Sequence, residues 1–72
     1  MMFGIFNENF RYLLYKIIDN KREDMSRSND LEEIRKAYNI QISKYLEHKG
    51  KVFISIYDYD KKTNIMEYES NN

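Results

Sequence analysis

The 72-residue chain is predicted to be a single α+β domain ordered α-α-β-β, with an antiparallel helix hairpin packed on a two-stranded antiparallel β-hairpin. The spacing of apolar residues predicts this class. Over about residues 7–21 and 30–49, apolar side chains recur every three or four positions, as on amphipathic helices. Over about residues 51–69 they recur every second position, as on half-buried strands. Polar residues 22–29 are predicted to link the helices, and residues 70–72 to fray.

The first predicted helix is preceded by an apolar segment, Met1–Phe6, which is either a lead-in to the helix or a short strand. Asn7 is the expected N-cap. One face of the helix carries Phe10, Leu13, Leu14, Ile17 and Ile18. Tyr12 and Tyr15 fall on the opposite side, where exposed aromatic side chains indicate a partner surface.

The second predicted helix has an N-cap residue, an amphipathic face and a C-terminal glycine, which together predict one continuous helix. Asp30 is placed as its N-cap with Glu33 completing a capping box, and Gly50 suits the left-handed position after its end. Its apolar arc comprises Leu31, Ile34, Tyr38, Ile42, Tyr45 and Leu46. Ile40 lies about 180° from this arc, at 100° per residue, and becomes a second candidate contact with another chain.

The predicted hairpin has two faces of different character. The even-numbered residues are expected to face the helices: Val52, Ile54, Ile56, Met66 and Tyr68. The odd-numbered face carries Phe53, Tyr57, Tyr59 and Ile65, which is unusually apolar for a solvent-facing sheet surface. We expect either Met1–Phe6 or another subunit to cover it. Asn64 is predicted to take the left-handed conformation that closes the turn.

Composition narrows the function classes. Lysine plus arginine equals aspartate plus glutamate at twelve each, which argues against a general polyanion binder. Cysteine is absent, as in chains of a reducing cytoplasm, and no apolar run reaches the ~20 residues of a membrane span. A lone two-stranded sheet leaves both edges open, so a homodimer is predicted, formed by joining hairpins into a larger sheet or by burying the aromatic odd-numbered face.

No residue pattern indicates catalysis, a metal or a cofactor. The single histidine, His48, is interpreted as a partner of the second helix's C-terminal dipole. Asp58 and Asp60 resemble the start of a calcium loop, but the glycine and closing glutamate of that motif do not follow. Both glycines stand alone, so no phosphate-binding loop is present.

A dimeric DNA-binding transcriptional regulator, which uses the second helix and the hairpin as a wing, is the alternative interpretation. Five basic residues oppose one acidic residue over positions 34–51, and a helix followed by a hairpin resembles a winged helix in arrangement. The candidate contacts are Lys36, Lys44, Lys61 and Lys62. Such binding would weaken steeply with salt.

The favoured function is a small, non-enzymatic, cytoplasmic protein-binding module. It would act as a regulator or inhibitor of a larger protein and would be of the kind that phages and mobile elements encode. The small size, the missing catalytic set and the exposed aromatic residues favour it. The predicted partner-binding residues are Tyr12, Tyr15, Ile40, Phe53, Tyr57 and Tyr59.

Overall fold

The computed structural model describes residues 10–72, which form one helix and four strands in the order β-β-α-β-β. The strands are β1 (Tyr12–Ile18), β2 (Lys21–Ser28), β3 (Lys51–Asp58) and β4 (Thr63–Asn71), and the helix is α1 (Leu31–Lys44). All four strands lie in one antiparallel sheet with the order β2-β1-β3-β4. The predicted α-α-β-β fold is therefore wrong.

The predicted first helix, residues 7–21, is replaced over its described part by strand β1 and a tight turn. Asp19 and Asn20 have φ values of 50° and 73°, the two left-handed positions of a type I′ hairpin turn. The apolar spacing misled because β1 is a central strand. Leu13 and Leu14 point to opposite faces and are both buried, so no simple alternation appears. The predictions for Met1–Phe6 and Asn7 lie outside the described residues.

The predicted linker, residues 22–29, is largely strand β2. It pairs with β1 over its whole length, with a bulge where Met25 has no partner between Leu14 and Tyr15. Its first four residues are exposed and charged, as is typical of a strand at a sheet edge. Strand β1 occupies the edge of β3 that a two-stranded sheet would leave open, so the sheet has four strands within one chain rather than two. The predicted homodimer stays a prediction.

Helix α1 begins as predicted and ends earlier than predicted. Asp30 is the N-cap, and its side chain accepts a hydrogen bond from the Glu32 N–H at 3.0 Å. The capping box is modified, because Glu33 accepts from the Ser28 hydroxyl at 2.6 Å, and that hydroxyl accepts from the Asp30 N–H at 2.9 Å. The helix stops at Lys44 rather than at residue 49. Leu46 is consequently exposed and takes no part in the core.

The core lies between α1 and one face of the sheet. The even-numbered register of β3 is confirmed, since its apolar residues are buried and pair with Met66 and Tyr68 on β4. The buried cluster consists of Tyr12, Leu14, Ile34, Tyr38, Val52, Ile54 and Ile56. Full burial of an aliphatic side chain contributes about 1.5–3 kcal/mol, so these residues are the main source of stability.

The C-terminal hairpin is present, but its turn differs from the prediction. Lys62, with φ of 58°, takes the left-handed position expected at Asn64. Ile65 forms a bulge opposite β3 and packs against the core instead of facing away from it. The last residues do not fray: β4 runs to Asn71, and Asn72 exchanges backbone hydrogen bonds with Gly50 at 2.8 and 3.1 Å.

Candidate functional site

The face of the sheet opposite α1 gathers aromatic and charged residues from all four strands. No described helix packs on it. We call it the distal face, and cross-strand pairing places these residues on it: Leu13, Tyr15, Ile17, Arg22, Asp24, Arg27, Phe53, Ser55, Tyr57, Asn64, Glu67 and Glu69. Apolar residues predominate on its central strands β1 and β3. The β2 border carries two arginines with Asp24 between them, and the β4 border carries two glutamates and Asn64.

Tyr15 is the best-fixed side chain of the distal face. It starts on β1, crosses β3 and donates a hydrogen bond from its hydroxyl to Asn64 Oδ1 on β4 at 3.1 Å. Asn64 in turn donates to Glu67 at 3.0 Å. The Arg22 guanidinium covers the Tyr15 ring at 4.2 Å from its centroid, and the Phe53 ring lies 6.0 Å away. These contacts leave Tyr15 only 8% exposed and hold its ring in place.

A depression of about 540 Å³ lies beside Tyr15. Its lining includes Leu13, Tyr15, Arg22, Tyr57, Tyr59 and Asn64. Tyr57 and Tyr59 meet edge to face, with ring centroids 5.0 Å apart at 80°. Tyr59 is the exposed member of this pair. Three tyrosines from two separate parts of the chain thus surround one concave space, which Arg22 and Asn64 also line.

Ser55 lies beneath this aromatic layer and has an unusual environment. It pairs across the strands with Tyr15 on one side and Glu67 on the other, and it is 0% exposed. Its hydroxyl has no hydrogen-bond partner among residues 10–72. Because the Tyr15 side chain crosses β3 at this level, a small residue is needed at position 55. Ser55 therefore allows Tyr15 to lie across the sheet, at the cost of an unpaired buried hydroxyl.

An ion pair at one end of the sheet fixes the turn that carries Tyr59. The Asp58 carboxylate is almost fully buried and binds the Arg11 guanidinium through two contacts, at 3.0 and 3.1 Å. It also accepts from the N–H groups of Asp60 and Lys61 at 2.9 and 3.2 Å. The Arg11 hydrogen bonds, followed by those two N–H groups, hold the pKa of Asp58 below its ordinary value. The turn is thereby tied to the start of β1.

A second polar cluster closes the opposite end of the sheet. Asp19 accepts from the Lys51 N–H at 3.0 Å, and its other oxygen lies 3.0 Å from Nε2 of His48. The Lys51 N–H, and then the His48 ring, hold the pKa of Asp19 below its ordinary value. His48 therefore bridges to the β1–β2 turn rather than ending the helix, which corrects the role predicted for it. Gly50 approaches the Asp19 carboxylate so closely that a β-carbon there would collide with it.

The structure brings together four of the six predicted partner-binding residues. Tyr15, Phe53, Tyr57 and Tyr59 meet on or beside the distal face. Tyr12 is placed differently, because adjacent positions on a strand alternate in direction and Tyr12 joins the core beneath α1. Its prediction as an exposed helix residue is wrong. Ile40 is 54% exposed on α1, as predicted, but it lies on the other side of the molecule.

Sequence reasoning missed Arg22, Leu13 and Asn64 as contributors to this surface. Arg22 was assigned to a linker and Leu13 to a helix core. The sequence does contain a signal for the correct fold in the pair Asp19-Asn20, because these residue types suit the left-handed positions of a two-residue hairpin turn. A hairpin centred there pairs Ile17 with Arg22, which places Arg22 on the distal face. The bulge at Met25 then shifts the register by one residue and brings Arg27 opposite Leu13 on the same face.

The four lysines of the nucleic-acid alternative do not form one patch. Lys61 and Lys62 lie in the β3–β4 turn, next to the end of the sheet where α1 begins. Lys44 is in the last turn of α1, and 14 helical residues at about 1.5 Å each place it roughly 20 Å further along. Lys36 lies between these points, exposed on the helix. The nucleic-acid prediction remains untested and gains no geometric support.

Within residues 10–72, no group of three histidine, aspartate or glutamate side chains could hold a metal ion. No helix in the same range has the length and hydrophobicity that a membrane span needs. Comparison with known proteins found no family model, no curated protein and no solved structure that matches this chain. The chemistry of the distal face must therefore be inferred from its own residues.

Proposed function

We propose that this protein is a non-enzymatic protein-binding module whose binding surface is the distal face. One observation carries the proposal: Tyr15, Tyr57 and Tyr59 line a single depression together with Arg22. Tyrosine and arginine are the residue types that, with tryptophan, dominate binding energy at protein interfaces. A concave space of about 540 Å³ can receive one or two side chains of a partner.

The site is largely pre-organised. Hydrogen bonding to Asn64 and stacking under Arg22 fix the Tyr15 ring. The Asp58 cluster fixes the turn beside Tyr59. A surface whose side chains are already ordered loses less conformational entropy when a partner binds. These rings can therefore contribute more of their contact energy to affinity than flexible side chains would.

The charge distribution favours a protein partner. The chain is neutral overall, and the distal face carries both signs, with arginines on one border and glutamates on the other. Such a pattern orients a partner that has its own mixed charges, whereas a polyanion would be repelled by one border. A small regulator or inhibitor that covers part of a larger protein is the activity most consistent with this surface.

Site-directed photo-cross-linking tests the proposal. A photoreactive phenylalanine analogue replaces Tyr59 in one variant and Ile40 in a matched control, because both residues are exposed and apolar but lie on opposite sides of the molecule. Each variant is irradiated in a lysate of the source cells. We expect a discrete adduct from position 59 that excess unlabelled wild-type protein suppresses, and none from position 40.

The competitor provides the second control. Excess Tyr57→Ala protein, which lacks one wall of the depression, should suppress the adduct much less than the wild-type protein does. Equal labelling from both positions, or equal competition by the Tyr57→Ala protein, would show that the distal face is not the binding surface.

A further inference from the structure

We propose that the distal face binds a second copy of this chain, face to face, with the two sheets related by a two-fold axis parallel to the strands. The inference rests on the proposed function, since it names the partner of the same surface. The observation behind it is the order of charges across the sheet. When two copies face each other in this orientation, the β2 border of each copy lies over the oppositely charged β4 border of the other.

The arrangement of the distal face sets the geometry. Arg22 and Arg27 lie on edge strand β2, and Glu67 and Glu69 lie on the opposite edge strand β4. Asp24 lies between the arginines and contacts both, at 3.2 and 3.4 Å, so the β2 border keeps a charge of two minus one, or +1. The β4 border carries −2 from its two glutamates.

Two aligned ways of stacking the face on itself can be compared. An axis parallel to the strands places β2 of one copy over β4 of the other, because the sheet order is reversed across it. The row that contains Arg22, Ile17, Phe53 and Glu69 then faces the same row of the partner in reverse, so Arg22 meets Glu69 twice. In the neighbouring row Asp24 meets Glu67 twice, which offsets part of this attraction. An axis perpendicular to the strands instead places β2 over β2 and β4 over β4, where every facing pair of charges is of like sign. The net border charges, +1 facing −2, select the first arrangement.

The apolar centre fits the same arrangement. The parallel axis places β1 over β3, so the rings of Phe53 and Tyr57 on one copy face Ile17 and Leu13 on the other. Phe53, Tyr57 and Ile17 are half-buried in the single chain and would lose their remaining exposure. Sheets that stack face to face are normally close to aligned, at about −30°, which this geometry permits.

The size of the face indicates a reversible dimer. Seven residues at about 3.3 Å each, on four strands about 4.8 Å apart, give a footprint of roughly 440 Å² per copy. Two copies would bury roughly 900 Å², which lies in the range of transient complexes below about 1,200 Å². The monomer and the dimer should therefore exchange, leaving the face available to other partners at low concentration.

Charge reversal combined with sedimentation equilibrium tests the inference on the full chain. One variant carries Arg22→Glu with Arg27→Glu, and the other carries Glu67→Arg with Glu69→Arg. Each variant alone has the same sign on both borders, so its self-association should be weaker than that of the wild type by about 10-fold or more. An equimolar mixture of the two restores opposite charges at both borders and should associate at least as strongly as the wild type.

Circular dichroism melting first establishes that the variants are folded. Should a double reversal unfold, the single changes Arg22→Glu and Glu69→Arg repeat the test on the pair that face each other. A wild-type chain that stays monomeric up to about 1 mM, the weakest affinity of interest, would overturn the inference. Association unaffected by either reversal, or variants that do not associate when mixed, would overturn it as well. In each of these cases a specific adduct from position 59 with another protein would leave the proposed function standing.

Discussion

Two buried serines should respond in opposite directions to the same substitution. Ser55 is 0% exposed and its hydroxyl finds no hydrogen-bond partner in the described part of the chain, whereas Ser28 is 6% exposed and its hydroxyl both donates and accepts a hydrogen bond. Ser28 donates to Glu33 at 2.6 Å and accepts from the Asp30 N–H at 2.9 Å. We therefore expect Ser55→Ala to stabilise the protein and Ser28→Ala to destabilise it.

The magnitudes follow from the cost of an unpaired polar group. Burying a hydroxyl without a hydrogen bond costs about 1–3 kcal/mol, and alanine removes that cost while leaving room for Tyr15. Allowing a few tenths for the low strand propensity of alanine, Ser55→Ala should gain about 1–2 kcal/mol. For a domain of this size, each kcal/mol moves Tm by about 4–8 °C, so the expected rise is roughly 4–16 °C. Ser28→Ala should lose about 1–2 kcal/mol, because two hydrogen bonds at the start of α1 are removed.

Urea denaturation and calorimetry of the two variants measure these changes against the wild type. The dependence of the unfolding free energy on urea should stay the same, since neither change alters the surface exposed on unfolding. A lower Tm for Ser55→Ala would refute the reasoning, because it would mean that the hydroxyl makes a hydrogen bond in solution. A higher Tm for Ser28→Ala would refute the assigned role of Ser28 at the helix start.

Three further changes test other parts of the fold. Gly50→Ala should lower the unfolding free energy by about 1–3 kcal/mol, because φ is +130° and the new β-carbon would collide with the Asp19 carboxylate. An unchanged midpoint of urea denaturation would contradict this expectation. Asp58 and Asp19 have lowered pKa values, so their stabilisation is present above the unfolded pKa of about 4 and is lost as pH falls through the folded value. Thermal melts between about pH 6 and pH 2 should show Tm falling with pH, and the fall should be smaller in Asp58→Asn. An equal fall of Tm in the variant and the wild type would be inconsistent with the Asp58 ion pair. Ile54→Ala should lower the unfolding free energy by about 2–5 kcal/mol, because Ile54 is fully buried in the core. Ile40→Ala should change it by less than about 0.5 kcal/mol, because Ile40 is exposed. Similar losses for the two variants would contradict this placement of the core.

The second half of the fold could be predicted because its sequence patterns are unambiguous. Val52, Ile54 and Ile56 place a β-branched aliphatic residue at every second position of β3, with Phe53 and Ser55 between them, and a period of two predicts a strand. Asp30 has the side chain that an N-cap requires, and it precedes an apolar spacing of three and four. Local sequence and final structure agree there.

The first hairpin could not be predicted from apolar spacing, because β1 is central and β2 is an edge. Leu13 and Leu14 are buried on opposite faces, which makes their run look like one side of a helix. Strand β2 has charged residues and no apolar period, as edge strands often do, so it looks like a linker. Only the Asp19-Asn20 turn distinguished the two interpretations.

The candidate site was predicted in its residue types but not in its geometry. The aromatic residues of β3 were recognised because Phe53 and Tyr57 share the face that the core does not use. Their meeting with Tyr15 and Arg22 depends on the β1–β3 pairing, which joins residues almost forty positions apart. Such long-range pairing leaves no local sequence signal.

A concentration series of amide NMR spectra tests the central claim, that the distal face is where this protein associates, most directly. We expect that shifts between dilute and concentrated samples cluster at Tyr15, Ile17, Phe53 and Tyr57, while the amides around Ile40 on α1 stay unchanged. Shifts centred on the exposed helix surface, or confined to the outer edges of β2 and β4, would contradict it.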